Sequence, residues 1–214
     1  VFYKIYKSKC CYLAESFIAK IMEHLVKENL DIKIFNHLFS KQESDFFFQK
    51  LLDVVEWKHE TITMWGKKRT LRRRVAWYGD PGKNYAYSGN SLRPKAWNKD
   101  LTVIKEKIEA LSSIRFNSVL LNDYEDGNVG MGWHSDDEKE LGKNPVIGSV
   151  SFGVDRDFYL KPKNKSNNER VKIRASNGSF ILMNGATQHH WLHSLPIRKK
   201  INERRINLTF RTII

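Results

Sequence analysis

The chain has 214 residues, of which 41% are hydrophobic, enough for a single domain with a real core, so wholesale disorder is excluded. Thirty-seven Lys and Arg against 24 Asp and Glu leave a net charge of +13, an excess that favours a polyanionic partner, most simply nucleic acid. No apolar run reaches bilayer-spanning length, no secretory signal is visible, and the two cysteines are the neighbours Cys10 and Cys11, which offer neither a spaced metal site nor a disulfide framework.

Along the chain, Phe17, Ile18, Ile21, Leu25 and Leu30 recur at roughly helical spacing, which predicts an amphipathic helix over Leu13–Leu30 and a helical N-terminal extension over residues 1–30. Ser40 with Glu43 three residues on resembles a capping box, opening a second helix through Phe46, Phe47, Leu51, Leu52 and Val55. Thr61–Trp65 reads as a strand running into a turn at Gly66. A basic run follows (Lys67, Lys68, Arg69, Arg72, Arg73, Arg74), with Trp77, Tyr78, Tyr85 and Tyr87 close behind. Asp100–Leu111 has helical period. From Ser112 on, short strands are expected at Phe116–Tyr124, Ile147–Phe152, Phe158–Leu160, Val171–Arg174, Phe180–Met183 and Arg205–Arg211. Many short strands with turn residues between them predict a barrel or jelly roll. The plan is thus α+β but mainly β: an α/β portion over residues 31–112 and an all-β portion over 113–214, packed as one unit.

The chemistry centres on Trp133-His134-Ser135-Asp136, with His193 far downstream. On an extended segment, residues two apart share a face, so His134 and Asp136 can aim at one point. A second imidazole from another strand would complete a facial triad that leaves three octahedral positions open, as non-haem Fe(II) oxygenases require. The triplet alone is weak: a solvated loop or a zinc site would look the same, and His189, His190 and His193 all compete for the distal position. Arg205-Ile206-Asn207-Leu208-Thr209-Phe210-Arg211 alternates without a break. A half-buried strand with a wet outer side accounts for it, but two arginines on one strand face beside a metal also suit a small diacid. Asn122 and Tyr124 fall on one face of their own strand and can bond to the same diacid.

At these residues the sequence resembles the AlkB family of 2-oxoglutarate/Fe(II)-dependent dioxygenases, from about Asn36 to the end. The likeness is strongest over Asn117–Arg211, where Asn122-x-Tyr124, His134-Ser135-Asp136-Asp137-Glu138, Ser149-Val150-Ser151-Phe152-Gly153, His193-Ser194-Leu195-Pro196 and Arg205-x-Asn207-Leu208-Thr209-Phe210-Arg211 follow in family order. The branch it resembles repairs methylated bases. The resemblance implies a double-stranded β-helix (jelly roll) with His134, Asp136 and His193 as iron ligands and catalytic centre. It implies Asn122, Tyr124, Arg205, Asn207 and Arg211 as contacts of the cosubstrate 2-oxoglutarate, with O2 as oxidant.

The front portion then resembles a nucleotide-recognition lid. Tyr85 and Tyr87 are expected to flank an extruded base, which such enzymes take out of the stack. His134 or Trp133 is expected to form the opposite wall, and Asp137, with Glu138 beside it, to accept from the exocyclic amine. Trp65 occupies the place of an apolar finger that fills the gap left in a duplex, or else is a core residue under the hairpin. Arg73 and its basic run, and Arg198-Lys199-Lys200, are expected to meet phosphates, or else to be solvated faces. The implied reaction is oxidative demethylation of 1-methyladenine or 3-methylcytosine in DNA or RNA, by a monomer with no membrane partner. The expected location is intracellular: nuclear in a eukaryote, cytoplasmic in a bacterium. A dioxygenase acting on protein or metabolite, a zinc hydrolase and a non-catalytic nucleic-acid module are the competing readings.

Overall fold

A computed structural model describes residues 22–64, 67–83, 85–87, 90–164, 166 and 168–214. The chain begins there with a hairpin, β1 (Met22–Lys27) and β2 (Leu30–Phe35), paired in unbroken register from Met22↔Phe35 to Lys27↔Leu30. The helix expected over Leu13–Leu30 is therefore overturned from Met22 on; residues 13–21 lie outside the described residues. Tertiary pairing overrides the helical spacing. In β2, Leu30, Ile32 and Ile34 alternate with Asp31 and Lys33, the apolar set is buried, and the strand zips onto β12 (Phe180–Asn184). Asn29, at φ 55°, closes the tight turn in a conformation that Asn tolerates.

Helix α1 (Lys41–Val54) starts where the sequence places it. Glu43 N–H donates to Ser40 Oγ at 3.2 Å while Ser40 N–H donates to the Glu43 carboxylate at 2.7 Å, both halves of a capping box. Helix α2 (Lys99–Ser112) is capped by Asn98, whose side chain accepts from Leu101 N–H at 2.9 Å. Phe47 and Leu51 of the first helix, and Leu101, Ile104 and Ile108 of the second, share one core cluster with Leu121, Phe152, Leu208 and Phe210 of the sheet beneath.

That sheet has eight strands in the order β1-β2-β12-β9-β14-β7-β4-β3, where β3 is Lys58–Met64, β4 Lys67–Gly79, β7 Ser118–Tyr124, β9 Ile147–Gly153 and β14 Arg205–Arg211. A short ribbon, β5 (Tyr85–Tyr87) with β6 (Asn90–Leu92), stands apart. Over the other face lies a four-stranded sheet, β11-β10-β13-β8: Val171–Ala175, Arg156–Pro162, Trp191–Leu195 and Met131–His134. Leu120, Ile147, Leu160, Ile173, Ile181 and Trp191 fill the space between the sheets. This is the jelly-roll architecture expected.

The central strands are covered on both faces, so every residue of β7 and β14 is buried. Both sides of Arg205–Arg211 are interior, so the alternative of a half-buried strand with a wet outer side does not hold. The sequence pattern shows neither β8 nor β13, and β4 is one strand of 13 residues where a basic run was read.

Candidate metal centre and its arginine-lined pocket

His134 ends β8 and His193 lies in the middle of β13, and the two are directly paired across the strands. That register brings their rings to 4.2 Å between centroids. Asp136, two residues past the strand, turns into the same space, and one ligand atom from each residue lies within 4.8 Å of the others. Among the described residues this is the one such cluster. His189 and His190 lie exposed on the helical turn α3 (Thr187–His190) ahead of β13, and His189 accepts from Asn144 N–H at 3.1 Å. The distal imidazole is that of His193.

Burial, the largest influence on Asp136, would raise its pKa, but Arg211, His193 and His134 together hold the carboxyl down to about 2. Burial pushes His193 the other way, down to about 3, so its imidazole is neutral. One ionised carboxylate and neutral imidazole are the ligating forms. The His134 Nδ1 sits 2.8 Å from Gly132 O, which leaves Nε2 for an ion. Asp136 is positioned twice: Arg211 Nη2 donates to its Oδ1 at 2.9 Å, and its own N–H donates to Gln188 Oε1 at 3.0 Å. Two histidines and one carboxylate on one side of the space fit a ferrous ion with an open coordination face.

Beside the triad lies a pocket lined by Asn122, Tyr124, Arg205, Asn207 and Arg211, along with Met131, Phe158 and Thr209. Register explains the gathering. Arg205 pairs with Tyr124 and Asn207 with Asn122 across β14 and β7, and Asn207 and Thr209 face Ser151 and Ser149 across β9. Arg205 Nη2 donates to Ser151 Oγ at 2.9 Å, its guanidinium carbon sits 5.5 Å from the Tyr124 ring centroid, and its Nε is buried without a hydrogen-bond partner. Asn207 donates to Ser149 Oγ at 2.8 Å, and Thr209 donates to Asn207 Oδ1 at 3.2 Å. A buried guanidinium with a donor left over is what a carboxylate would satisfy, so the pocket fits 2-oxoglutarate.

The residues expected to meet nucleic acid are scattered by comparison. Trp65 lies outside the described residues. Tyr85 and Tyr87 sit on β5, paired with β6. Arg73 is not a surface cation: it is 6% exposed, donates to Glu60 at 3.0 Å, and contacts Met131 of the pocket wall. On a strand whose residues alternate, it is turned inward while Arg72 is turned out. Asp137 points outward to Lys163 at 2.6 Å. Burial would raise its pKa, but the Lys163 ammonium lowers it. Glu138, next along, has one carboxylate oxygen buried without a hydrogen-bond partner. Arg198 reaches Asp157 and the Tyr159 hydroxyl, both at 3.3 Å, while Lys199 and Lys200 are exposed. Trp133 does not line the pocket: strand alternation sends it to the face opposite His134. Gln188, Met131 and Phe158 escaped the sequence reading because none carries a charge or a motif that marks it. Only the polar residue Gln188 at 0% exposure, once seen, betrays a partner.

The description "2OG-Fe(II) oxygenase superfamily" belongs to a family profile that matches residues 31–211. "DNA oxidative demethylase ALKBH2" of Homo sapiens is 40% identical over 200 residues, covering 89% of this chain and 76% of that protein. "Alpha-ketoglutarate-dependent dioxygenase alkB homolog 3" of Homo sapiens is 38% identical over 180 residues, covering 80% of this chain and 62% of its own. A solved structure described as "The structure of OsALKBH1" superposes with a TM-score of 0.62 at 16% identity, covering 89% of this chain and all of that one; it speaks for the fold.

Proposed function

Because the chain belongs to the AlkB family within the 2-oxoglutarate/Fe(II)-dependent oxygenase superfamily, we propose that it is a dealkylation-repair enzyme that oxidatively removes alkyl groups from nucleobase ring nitrogens in DNA. It is an Fe(II)/2-oxoglutarate-dependent dioxygenase. One observation carries the reading: the triad of half-buried His134 with buried Asp136 and His193 opens onto the pocket that Arg205 and Arg211 of β14 line.

His134, Asp136 and His193 would hold the metal, and Arg205, Arg211, Asn207, Asn122 and Tyr124, which line the adjoining pocket, would hold 2-oxoglutarate. When bound, iron, 2-oxoglutarate and O2 supply the oxidation of the N-alkyl carbon, with succinate, CO2 and, from a methyl group, formaldehyde as products. The protein's own part is placement. Arg211 holds the Asp136 carboxylate and Gln188 holds its backbone N–H, so the ligand geometry is set by packing before any ion arrives. Burial keeps water from the reacting atoms. Phe158, whose ring lies 5.3 Å from that of His193, offers an apolar wall to a flat base.

The lesions this suits are 1-methyladenine and 3-methylcytosine, whose positive charge an acid near the mouth favours. Since Asp137 is engaged by Lys163, Glu138 is the better acceptor for the base's amine. Tyr85, Tyr87, Trp65, Lys199 and Lys200 complete the proposed contacts, with RNA as a further substrate and a monomer as the working form. Among the described residues no helix is long and apolar enough to cross a membrane, and we place the enzyme with its substrate inside the cell.

Mass spectrometry of oligonucleotides bearing 1-methyladenine or 3-methylcytosine, in single- and double-stranded DNA and in RNA, tests this with Fe(II), 2-oxoglutarate and ascorbate present. Loss of the methyl group with matching succinate is expected. Succinate formation that no methylated oligonucleotide stimulates would overturn the substrate class while leaving the iron chemistry in place.

A further inference from the structure

The outer face of the four-stranded sheet carries a surface that the catalytic pocket does not use. Side chains alternate along β10: Phe158 lines the pocket and Leu160 enters the core, so Asp157, Tyr159 and Lys161 face out. Register sets their neighbours, with Lys172 of β11 across from Tyr159 and Arg174 across from Asp157, both exposed. From β8, Trp133 reaches the same face. Lys161 Nζ lies 4.5 Å from its ring centroid and the guanidinium carbon of Arg170 5.7 Å from it. At the Tyr159 ring the guanidinium carbon of Arg198 lies at 5.6 Å. Trp133 nevertheless stays 36% exposed.

Among the described residues five cations and two aromatic rings thus share one sheet face with Asp155 and Asp157, while Glu169, in the cleft beside Lys161 and Arg170, pairs with Lys27 at 2.6 Å. Asp157 pairs with Arg198 at 3.3 Å and Arg174 at 3.7 Å, and Asp155 pairs with Arg174 at 3.3 Å. Among the described residues Lys161, Arg170 and Lys172 form no ion pair, which leaves their charge for a partner. Cations alone would suit any polyanion. Rings interleaved with them suit a polyanion that presents flat π faces, which an unpaired strand does and a duplex, with its bases stacked inside, does not.

We propose that this face binds the single-stranded nucleic acid flanking the target base, with unpaired bases stacking on Trp133 and Tyr159 and phosphates meeting Lys161, Arg170 and Lys172. The inference rests on the nucleobase reading above and adds the strand state to it. Bound this way, a single strand leaves the mouth across the smaller sheet, and the rings select against fully paired substrates.

The test compares Trp133→Leu and Tyr159→Leu with Trp133→Phe and Tyr159→Phe in the full chain. Fluorescence anisotropy would follow a labelled mixed-sequence single strand and a blunt duplex of the same sequence at fixed salt. Each Leu variant should weaken single-strand binding at least about five-fold, each Phe variant should restore it, and duplex affinity should stay unchanged. Equal losses on both strand states, or no loss on either, overturn the stacking face. Demethylation of methylated single-stranded and duplex oligonucleotides keeps this distinct from the parent reading: its absence on both in the unmutated enzyme defeats the nucleobase assignment itself. Tyr159→Leu, far in sequence from any ligand, carries the test alone should Trp133→Leu disturb His134.

Discussion

Replacing Arg205 with methionine should raise the stability of the metal-free protein and destroy its grip on 2-oxoglutarate. Burial drives the guanidinium well below its ordinary range, down to about 10, with Tyr124 partly opposing and Arg156 adding to the fall. That difference corresponds to about 3 kcal/mol held against the folded state. Because the depressed group is a base, the penalty is fully present at every pH below about 10 and fades as the pH climbs from there towards the ordinary guanidinium range. Methionine fills similar volume without charge. It forfeits the bond to Ser151 and the contact with the Tyr124 ring, together about 2 kcal/mol. The net gain is on the order of 1 kcal/mol, an upward shift of about 2–4 °C in Tm. Cosubstrate binding moves oppositely: losing a two-pronged, charge-assisted contact should raise the KM for 2-oxoglutarate about 100-fold. Differential scanning fluorimetry of the apo protein and succinate production against 2-oxoglutarate concentration measure the two arms. A Tm that drops by several degrees would show Arg205 to be structural, and a KM within about three-fold of the parent would remove it from the cosubstrate site.

Three further outcomes are expected. His134→Ala should abolish 2-oxoglutarate turnover while circular dichroism stays that of the parent, since the residue ends an edge strand and is only half-buried; demethylation that persists in the purified variant would refute the triad. Gln188→Leu should weaken Mn(II) or Fe(II) binding about ten-fold, as loss of a residue that orients a ligand typically does, with Gln188→Asn no substitute for the reach to Asp136 N–H; unchanged metal affinity by isothermal titration would show the bond to be incidental. Trp65→Ala should reduce activity on duplex more than on single strands, and equal loss on both would remove the finger.

Local chemistry decided which parts of this fold could be read in advance. The capping box at Ser40 and Glu43 is a short-range device, and the helix begins where those residues require. The strand Arg205–Arg211 is legible to the residue because its alternation is complete. The hairpin Met22–Phe35 is not: its residues are decided by pairing with β12, about 150 positions away, and a local period has no access to that. The metal ligands were readable because His-x-Asp on an extended segment constrains direction. Their completion by His193 rather than His189 or His190 depends on a strand register, His193↔His134, that spacing cannot supply. Arg73 shows the reverse failure. A run of six basic residues hides which one faces inward, and only Glu60 on the neighbouring strand reveals it.

Strand β8 lies at the edge of the smaller sheet and hydrogen-bonds to β13 alone among the described strands. Its last residue, His134, and the Asp136 just beyond it are to be joined to β13 by the ion that His193 shares. The metal thereby acts as a staple where a neighbouring strand would otherwise stand. Chelation should fray this edge first, seen as faster amide exchange over Met131–His134 while the doubly covered strands stay protected. Iron depletion would then reach Trp133 as well as the chemistry, loosening the hold on substrate from the same end of the molecule.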